Sequence, residues 1–386
     1  MPTSHALNTT TLRQRLRPWF TGFDLGLASA IGLLCACGLL AMYSAGFDHG
    51  TRFVDHLRNM LIGAVVLFGM AQVPPQRLMA LAVPAYSLGV ALLVATALFG
   101  LTKKGATRWL NVGVVIQPSE ILKIATPLML AWWFQRHDGR TGPRHFIGAA
   151  LLVLLPTALI AKQPDLGTAI LVLSSGFFVI FFAGLPWKLI APVAAIGVVA
   201  VAALVIAGPT ICEPDVDWVV LHSYQKNRIC TLLDPSKDPL GKGFHIIQGM
   251  IAIGSGGVTG KGFMKGTQTH LEFIPERTTD FIFAAYSEEF GLLGCLTLVA
   301  GFSFLILRGL AISFAAPTVF ARLLGGAITL SFFTYAMVNM GMVSGILPVV
   351  GVPLPFVSYG GTAMVSLGLS LGMLMAIARA RGLMQR

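Results

Sequence analysis

DLGLASAIGLLCACGLLAMYS, residues 24–44, carries no charged side chain after Asp24 and runs through Leu, Ala, Gly, Ile and Met without a polar break. About 20 apolar residues wound as a helix cross a hydrocarbon core. A strand of an outer-membrane barrel would instead alternate apolar and polar side chains over about 10 residues. The stretch reads as a membrane helix. Working outward, the same signature recurs near 57–73, 78–101, 119–135, 146–161, 167–184, 188–208, 281–307, 322–343 and 361–378. The expected architecture is therefore an all-α polytopic membrane protein with ten transmembrane helices.

Composition agrees. The 386 residues include 27 Lys and Arg and 16 Asp and Glu, so 11% are charged and 55% hydrophobic, whereas soluble domains are about 25% charged. The net charge of +11 serves topology: no basic run with interleaved aromatics marks a nucleic-acid surface. Residues 1–23 are polar and place Arg13, Arg15 and Arg17 before the first span with no cleavage site after it, so this segment reads as the cytoplasmic flank of a retained anchor. With that orientation, thirteen basic residues fall at inner ends (Arg13, Arg15, Arg17, Arg77, Arg136, Arg140, Arg144, Lys188, Arg308, Arg322, Arg379, Arg381 and Arg386). Six fall in short outer loops: Arg52, Arg58, Lys103, Lys104, Arg108 and Lys162. Both termini are expected in the cytoplasm, with one long outer loop, 209–280, between helices seven and eight.

Ten of the sixteen acids lie in or just after that loop, which marks it as the place for chemistry. Its apolar pieces near 218–233 and 244–253 are too short to span and read as interfacial or re-entrant. Cys212 and Cys230 share the loop. Spacing alone is equally consistent with a bridge and with two thiols, and an oxidising outer compartment tips the expectation toward a disulfide. No cysteine spacing suggests a metal site.

The Gly-rich run at 252–263 contains Gly260-Lys261 but fails as a phosphate loop, because Ser255 and Gly262 stand where Gly and Ser or Thr are required. It is either a turn or a backbone surface that approaches a polar head group. In GATRWLNVGVVIQPSEILK, 105–123, Glu120 and Lys123 share a helical face inside the membrane. Such charges normally face a partner or a polar cavity. Arg108 and Lys123 are candidate partners for a diphosphate, and Trp109 is placed to anchor at the interface or stack on a sugar. Asp165 in KQPDLGT is either a helix N-cap or a substrate ligand. Asp280, where FIPERTTDFIF passes from polar loop to apolar helix, is the candidate general base, with a structural capping role as the alternative.

Together these segments resemble the SEDS family (shape, elongation, division and sporulation). The blocks are GATRW at 105, QPSEILK at 117, KQPDLGTA at 162, YQKNRI at 224, DPLGKGFHIIQ at 238, AIGSGGVTGKGF at 252, PERTTDFIF at 275 and MVNMGMVSGILPVVGVPLPFVSYGG at 337. The resemblance covers nearly all of 1–386 as one membrane domain and favours the rod-elongation branch over the division branch.

The resemblance implies a peptidoglycan glycosyltransferase that polymerises lipid II on the outer face of the bacterial cytoplasmic membrane during elongation. It also implies a class B penicillin-binding transpeptidase and other elongation-complex proteins as partners. The family's essential Asp carries over to Asp280, and its Arg-Trp and QPSExxK blocks to Arg108, Trp109, Glu120 and Lys123; Gln117, Gln163, Asp165, Lys242 and Glu276 are further candidate substrate-binding residues. One position departs: Thr278 stands where the family usually has His, which removes any relay through that ring. An inverting transfer needs one base, with the leaving diphosphate balanced by Arg108, Lys123 and Lys242 or by a divalent cation, Mg or Mn. No nucleotide is required. The rival expectations are a lipid II flippase and a non-catalytic scaffold. A flippase would concentrate polar groups midway across the bilayer, whereas most candidates here lie at its outer edge.

Overall fold

The computed structural model describes residues 19, 21–48, 50–103, 106–111, 113, 115–138, 142–213, 216, 223–237, 241–274 and 276–384. Arg13, Arg15 and Arg17, and the loop acids Asp215, Asp217 and Asp238, lie outside them.

Among the described residues, ten long helices correspond to the ten apolar runs, some with shifted edges: α1 (Leu25–Ala45), α2 (Arg52–Met70), α3 (Pro75–Phe99), α4 (Pro118–Arg136), α5 (Pro143–Lys162), α6 (Leu166–Phe182), α7 (Trp187–Ile211), then α11 (Ile282–Phe314), α12 (Val319–Val343) and α13 (Gly361–Met384). Eight are individually long and apolar enough to cross a membrane. The other two are α6, with 17 residues, and α4, which carries Glu120, Lys123 and Arg136. Three short strands, β1 (Leu101–Lys103), β2 (Ala106–Asn111) and β3 (Val115–Ile116), form a small antiparallel sheet between α3 and α4, with Trp109 opposite Leu101 and Leu110 opposite Ile116. Between α7 and α11 lie α8 (Ser223–Leu233), α9 (Lys242–Gly256) and a single turn, α10 (Thr267–His270).

Packing sorts these helices. α12 is buried along most of its length and touches α4, α6, α9, α11 and α13, so it is the core element. α13 lies along α2, and α1 along α11. α7 is the outlier: Gly208 is its one buried residue, and Leu189, Val193, Ile196, Val201 and Ile206 are exposed. A helix apolar all round without protein neighbours belongs in lipid. At its end, Cys212 is bridged to Cys230 of α8, with Cα atoms 5.5 Å apart.

The Gly-rich run is a clasp rather than a loose turn. α11 breaks at Gly291, whose φ of +62° and ψ of −159° are not helical. The 257–262 backbone bonds into the break: Lys261 N donates to Glu288 O, Gly262 N to Glu289 O, Leu292 N to Gly257 O and Leu293 N to Val258 O, at 2.9–3.1 Å. A Cβ at Gly260 would sit 2.0 Å from the Glu289 carbonyl oxygen, so only glycine allows the approach. Lys261 is held by a carboxylate: its Nζ lies 2.7 Å from Oε1 of the buried Glu288, whose Oε1 also accepts from Gln268 N at 2.9 Å and whose Oε2 accepts from Thr269 N at 3.2 Å.

Candidate functional site

Asp280 ends a turn fixed from several directions. Within the turn, Thr279 N and Phe281 N both donate to Glu276 O at 3.1 Å, and Thr279 Oγ1 donates to Glu276 Oε2 at 2.8 Å. The N-cap of α11 is Phe281, so Asp280 precedes the cap position. From outside the turn, Asn339 Nδ2 donates to Asp280 O at 3.0 Å and to Val352 O at 2.7 Å. The 350–360 loop adds Ser358 Oγ to Thr279 O at 2.6 Å and Tyr359 N to Thr278 O at 2.9 Å. A Cβ at Gly351 would come within 3.4 Å of Asp280 Oδ2, which puts this loop's backbone against the carboxylate. That loop is wedged in tightly, since a Cβ at Gly38 of α1 would meet Phe356 O at 2.1 Å. Thr278, in the place of the family's His, is buried.

Arg277 ties the same turn to α1. Its buried guanidinium donates to Ala45 O at 3.0 Å, pairs with Asp48 and lies 5.5 Å from the Phe47 ring. Sequence reasoning passed over it because one Arg between Glu276 and Thr278 reads as an ordinary loop cation. Asn339 escaped notice because it sits in an apolar run read as a span, and Ser358 because it lies in the 344–360 connection, quoted only as part of the block at 337.

The other candidates form two clusters. Arg108 Nε donates to Gln163 O at 3.3 Å, its Nη2 reaches Pro164 O, and its Nη1 lies 3.8 Å from Asp165 Oδ1. Asp165 also accepts from Gln117 Nε2 at 3.0 Å and caps α6 through Thr168 N at 3.2 Å, so it combines the cap with a place in this cluster. Gln163 is buried and donates to Leu93 O at 3.2 Å. One turn into α4, Lys123 Nζ lies 2.6 Å from Glu120 Oε1, and Ser366 Oγ donates to Glu120 Oε2 at 3.1 Å. Lys123 also lies 5.4 Å from the Tyr335 ring, one helical turn before Asn339 on α12. Trp109 sits on β2, opposite Leu101. Glu276 is exposed at the Asp280 turn. Lys242 opens α9, and its side chain lies outside the described residues.

A groove of about 720 Å³ runs between α2, α3, α4 and α13. Its polar end holds Asn59, Gln117, Glu120 and Ser366, and its far end Met70, Leu78, Leu369 and Met373. α2, α4 and α13 all begin near the polar end, which is the outward end in the orientation expected from the sequence. Arg108, Trp109 and Lys123 do not line this groove.

The divalent-cation expectation finds no cage: among the described residues no three His, Cys, Asp or Glu side chains converge. Glu120 and Asp165 each already face a cation.

The Cell cycle protein family model covering FtsW, RodA and SpoVE matches residues 22–382. The chain belongs to this SEDS family. It is 46% identical over 357 residues to the peptidoglycan glycosyltransferase MrdB of Escherichia coli (strain K12), covering 92% of this chain and 93% of the relative. A solved chain from work on structural coordination of polymerization and crosslinking by a peptidoglycan synthase complex superposes with a TM-score of 0.75 at 31% identity, over 94% of this chain and 99% of that one. The rod shape determining protein RodA of Thermus thermophilus superposes with a TM-score of 0.68 at 26% identity, over 94% of this SEDS chain and 98% of its own.

Proposed function

We infer that this SEDS protein is a peptidoglycan glycosyltransferase that polymerises lipid II at the outer face of the bacterial cytoplasmic membrane, with both termini inside the cell. The observation that carries the reading is Asp280: the acid that matches the family's essential Asp lies in a turn fixed by Asn339, Ser358 and Tyr359. A general base must be held in place before its basicity matters.

Asp280 removes the proton from the acceptor hydroxyl as that oxygen bonds to the donor's anomeric carbon on the face opposite the diphosphate. The bond from that carbon to the phosphate oxygen breaks, and its electron pair leaves on the diphosphate. One base suffices, and the linkage inverts. The proton on Asp280 then passes to water, and the developing negative charge falls to Arg108 and Lys123. Both are held by carboxylates in the structure, so diphosphate would compete with Asp165 and Glu120 for them. The groove supports a prenyl-linked substrate, since its apolar end suits an isoprenoid tail and its polar end lies at head-group level. The likeness to a chain of a peptidoglycan synthase complex supports a class B penicillin-binding transpeptidase as partner, within an elongation complex.

The experiment is purified protein with its transpeptidase and labelled lipid II, followed by gel separation of glycan chains. A ladder of polymer is the expected result. Lipid II moved between leaflets with no polymer formed would replace this reading with the flippase.

A further inference from the structure

A second, smaller cavity of about 120 Å³ is lined by Arg228 and Thr231 of α8, His245 and Ile246 of α9, and Val349. It adjoins the Asp280 turn. The His245 ring lies 5.8 Å from that of Phe281, the residue after Asp280, and Val349 precedes by two residues the Gly351 backbone that approaches the Asp280 carboxylate. Arg228 and Thr231 share one face of α8, being three residues apart. The helix carrying them is tethered, because Cys230 is bridged to Cys212 at the end of α7. His245 Nδ1 is buried with no hydrogen-bond partner among the described residues. A buried ring nitrogen in that state costs free energy unless a ligand or water completes it.

The lining is chemically specific. A guanidinium presents a planar fork that matches phosphate oxygens, and an imidazole adds a short-range donor; Thr231 Oγ1 donates to Asn227 O at 2.6 Å and would exchange that bond for one to phosphate. Pockets for drug-sized ligands run to about 300 Å³ and above, so this one takes a single small group, not a disaccharide. The reaction supplies such groups in duplicate. Joining two lipid-linked sugars brings two diphosphates to the site at once: the donor's, which leaves, and the acceptor's, which stays. Arg108 and Lys123 cannot neutralise both from one place.

We propose that Arg228, Thr231 and His245 form a second phosphate subsite, which holds one of the two lipid-linked diphosphates while Arg108 and Lys123 serve the other. The proposal rests on the glycosyltransferase reading. It makes α8 and α9 part of the substrate site, and the Cys212–Cys230 bridge a device that keeps Arg228 in range.

The test uses the full-length protein with its transpeptidase and two analogues varied independently. One is a labelled lipid II lacking the acceptor hydroxyl, which can only donate; the other carries a methylene in place of the anomeric oxygen, so it can only accept. Arg228→Gln should raise KM for one analogue about tenfold or more, with kcat changed far less, and Arg228→Lys should restore part of the loss. Inorganic pyrophosphate should lose potency as an inhibitor in parallel. A rise for the donor assigns the cavity to the leaving diphosphate, and a rise for the acceptor assigns it to the retained one. If Arg228→Gln fails to fold, His245→Phe provides the same comparison. Both KM values unchanged, with only kcat or thermal stability lowered, would overturn the subsite and leave these residues structural. A wild type that joins no sugars would instead remove the glycosyltransferase reading, and the subsite with it.

Discussion

Asn339, on the most buried helix, spends its amide hydrogens on two backbone carbonyls from separate segments: Nδ2 lies 3.0 Å from Asp280 O of the candidate catalytic turn and 2.7 Å from Val352 O of the 350–360 loop. It thereby couples the candidate base to the 350–360 loop. Asn339→Leu keeps the branched shape but leaves two carbonyls unsatisfied, at about 1–3 kcal/mol each if they stay buried. Polymerisation should fall well beyond what the loss of thermal stability explains, because the turn loses its register. Equal activity at saturating lipid II would show that Asp280 is placed without Asn339.

Arg277 makes the equivalent link to α1. Arg277→Met retains most of the stem but removes the counter-charge of Asp48 and the donor to Ala45 O. Breaking a buried pair costs about 3–5 kcal/mol, and the part-exposed Asp48 places this one at the low end. Thermal unfolding of Arg277→Met, Asp48→Asn and the double variant should give a coupling energy of roughly 1–3 kcal/mol. Additive losses would remove the pair from the account.

Lys123 separates a binding role from a packing role. Lys123→Met should reduce lipid II turnover with the fold retained, and Glu120→Gln, which frees the ammonium from its 2.6 Å partner, should lower turnover less. Wild-type turnover in Lys123→Met would leave the Glu120 pair as packing alone.

The ten helices were legible because a membrane span announces itself in a continuous apolar run, and the Glu120–Lys123 pair because i,i+3 spacing is a local property. Asp280 stood out as a candidate from its place at the end of a polar loop, but that place alone left a base and a structural Asp equally open, and only the resemblance favoured the base. What escaped is non-local. Asn339 sits in an apolar run that reads as an ordinary span, and its role depends on a turn 59 residues earlier. The helix edges also moved: α2 begins at Arg52, because Arg52, Asp55 and Arg58 wind into the helix ahead of its apolar part, and α11 reaches Phe314. The Gly-rich run looked like a turn or a head-group surface because nothing local reveals that it fills the break at Gly291.

That clasp gives a stability prediction with an internal control. Gly260→Ala places a Cβ 2.0 Å from Glu289 O at a φ of +80° and should cost about 2 kcal/mol or more. Gly254→Ala, in α9 with nothing within 4 Å, should be neutral or stabilising by up to about 1 kcal/mol. Thermal unfolding in detergent reads both, and equal midpoints would contradict the clasp.

The central claim is that Asp280 is the base of a glycosyl transfer. Asp280→Asn keeps the size and the backbone bonds from Asn339 while removing the basicity, and a positioned base is typically worth about 10²- to 10⁴-fold. The measurement is the initial rate of glycan synthesis from labelled lipid II by purified wild type and variant, each with its transpeptidase bound. A variant that binds lipid and partner normally and loses at least about 10²-fold in rate is the predicted result; a variant that polymerises at the wild-type rate would contradict the account.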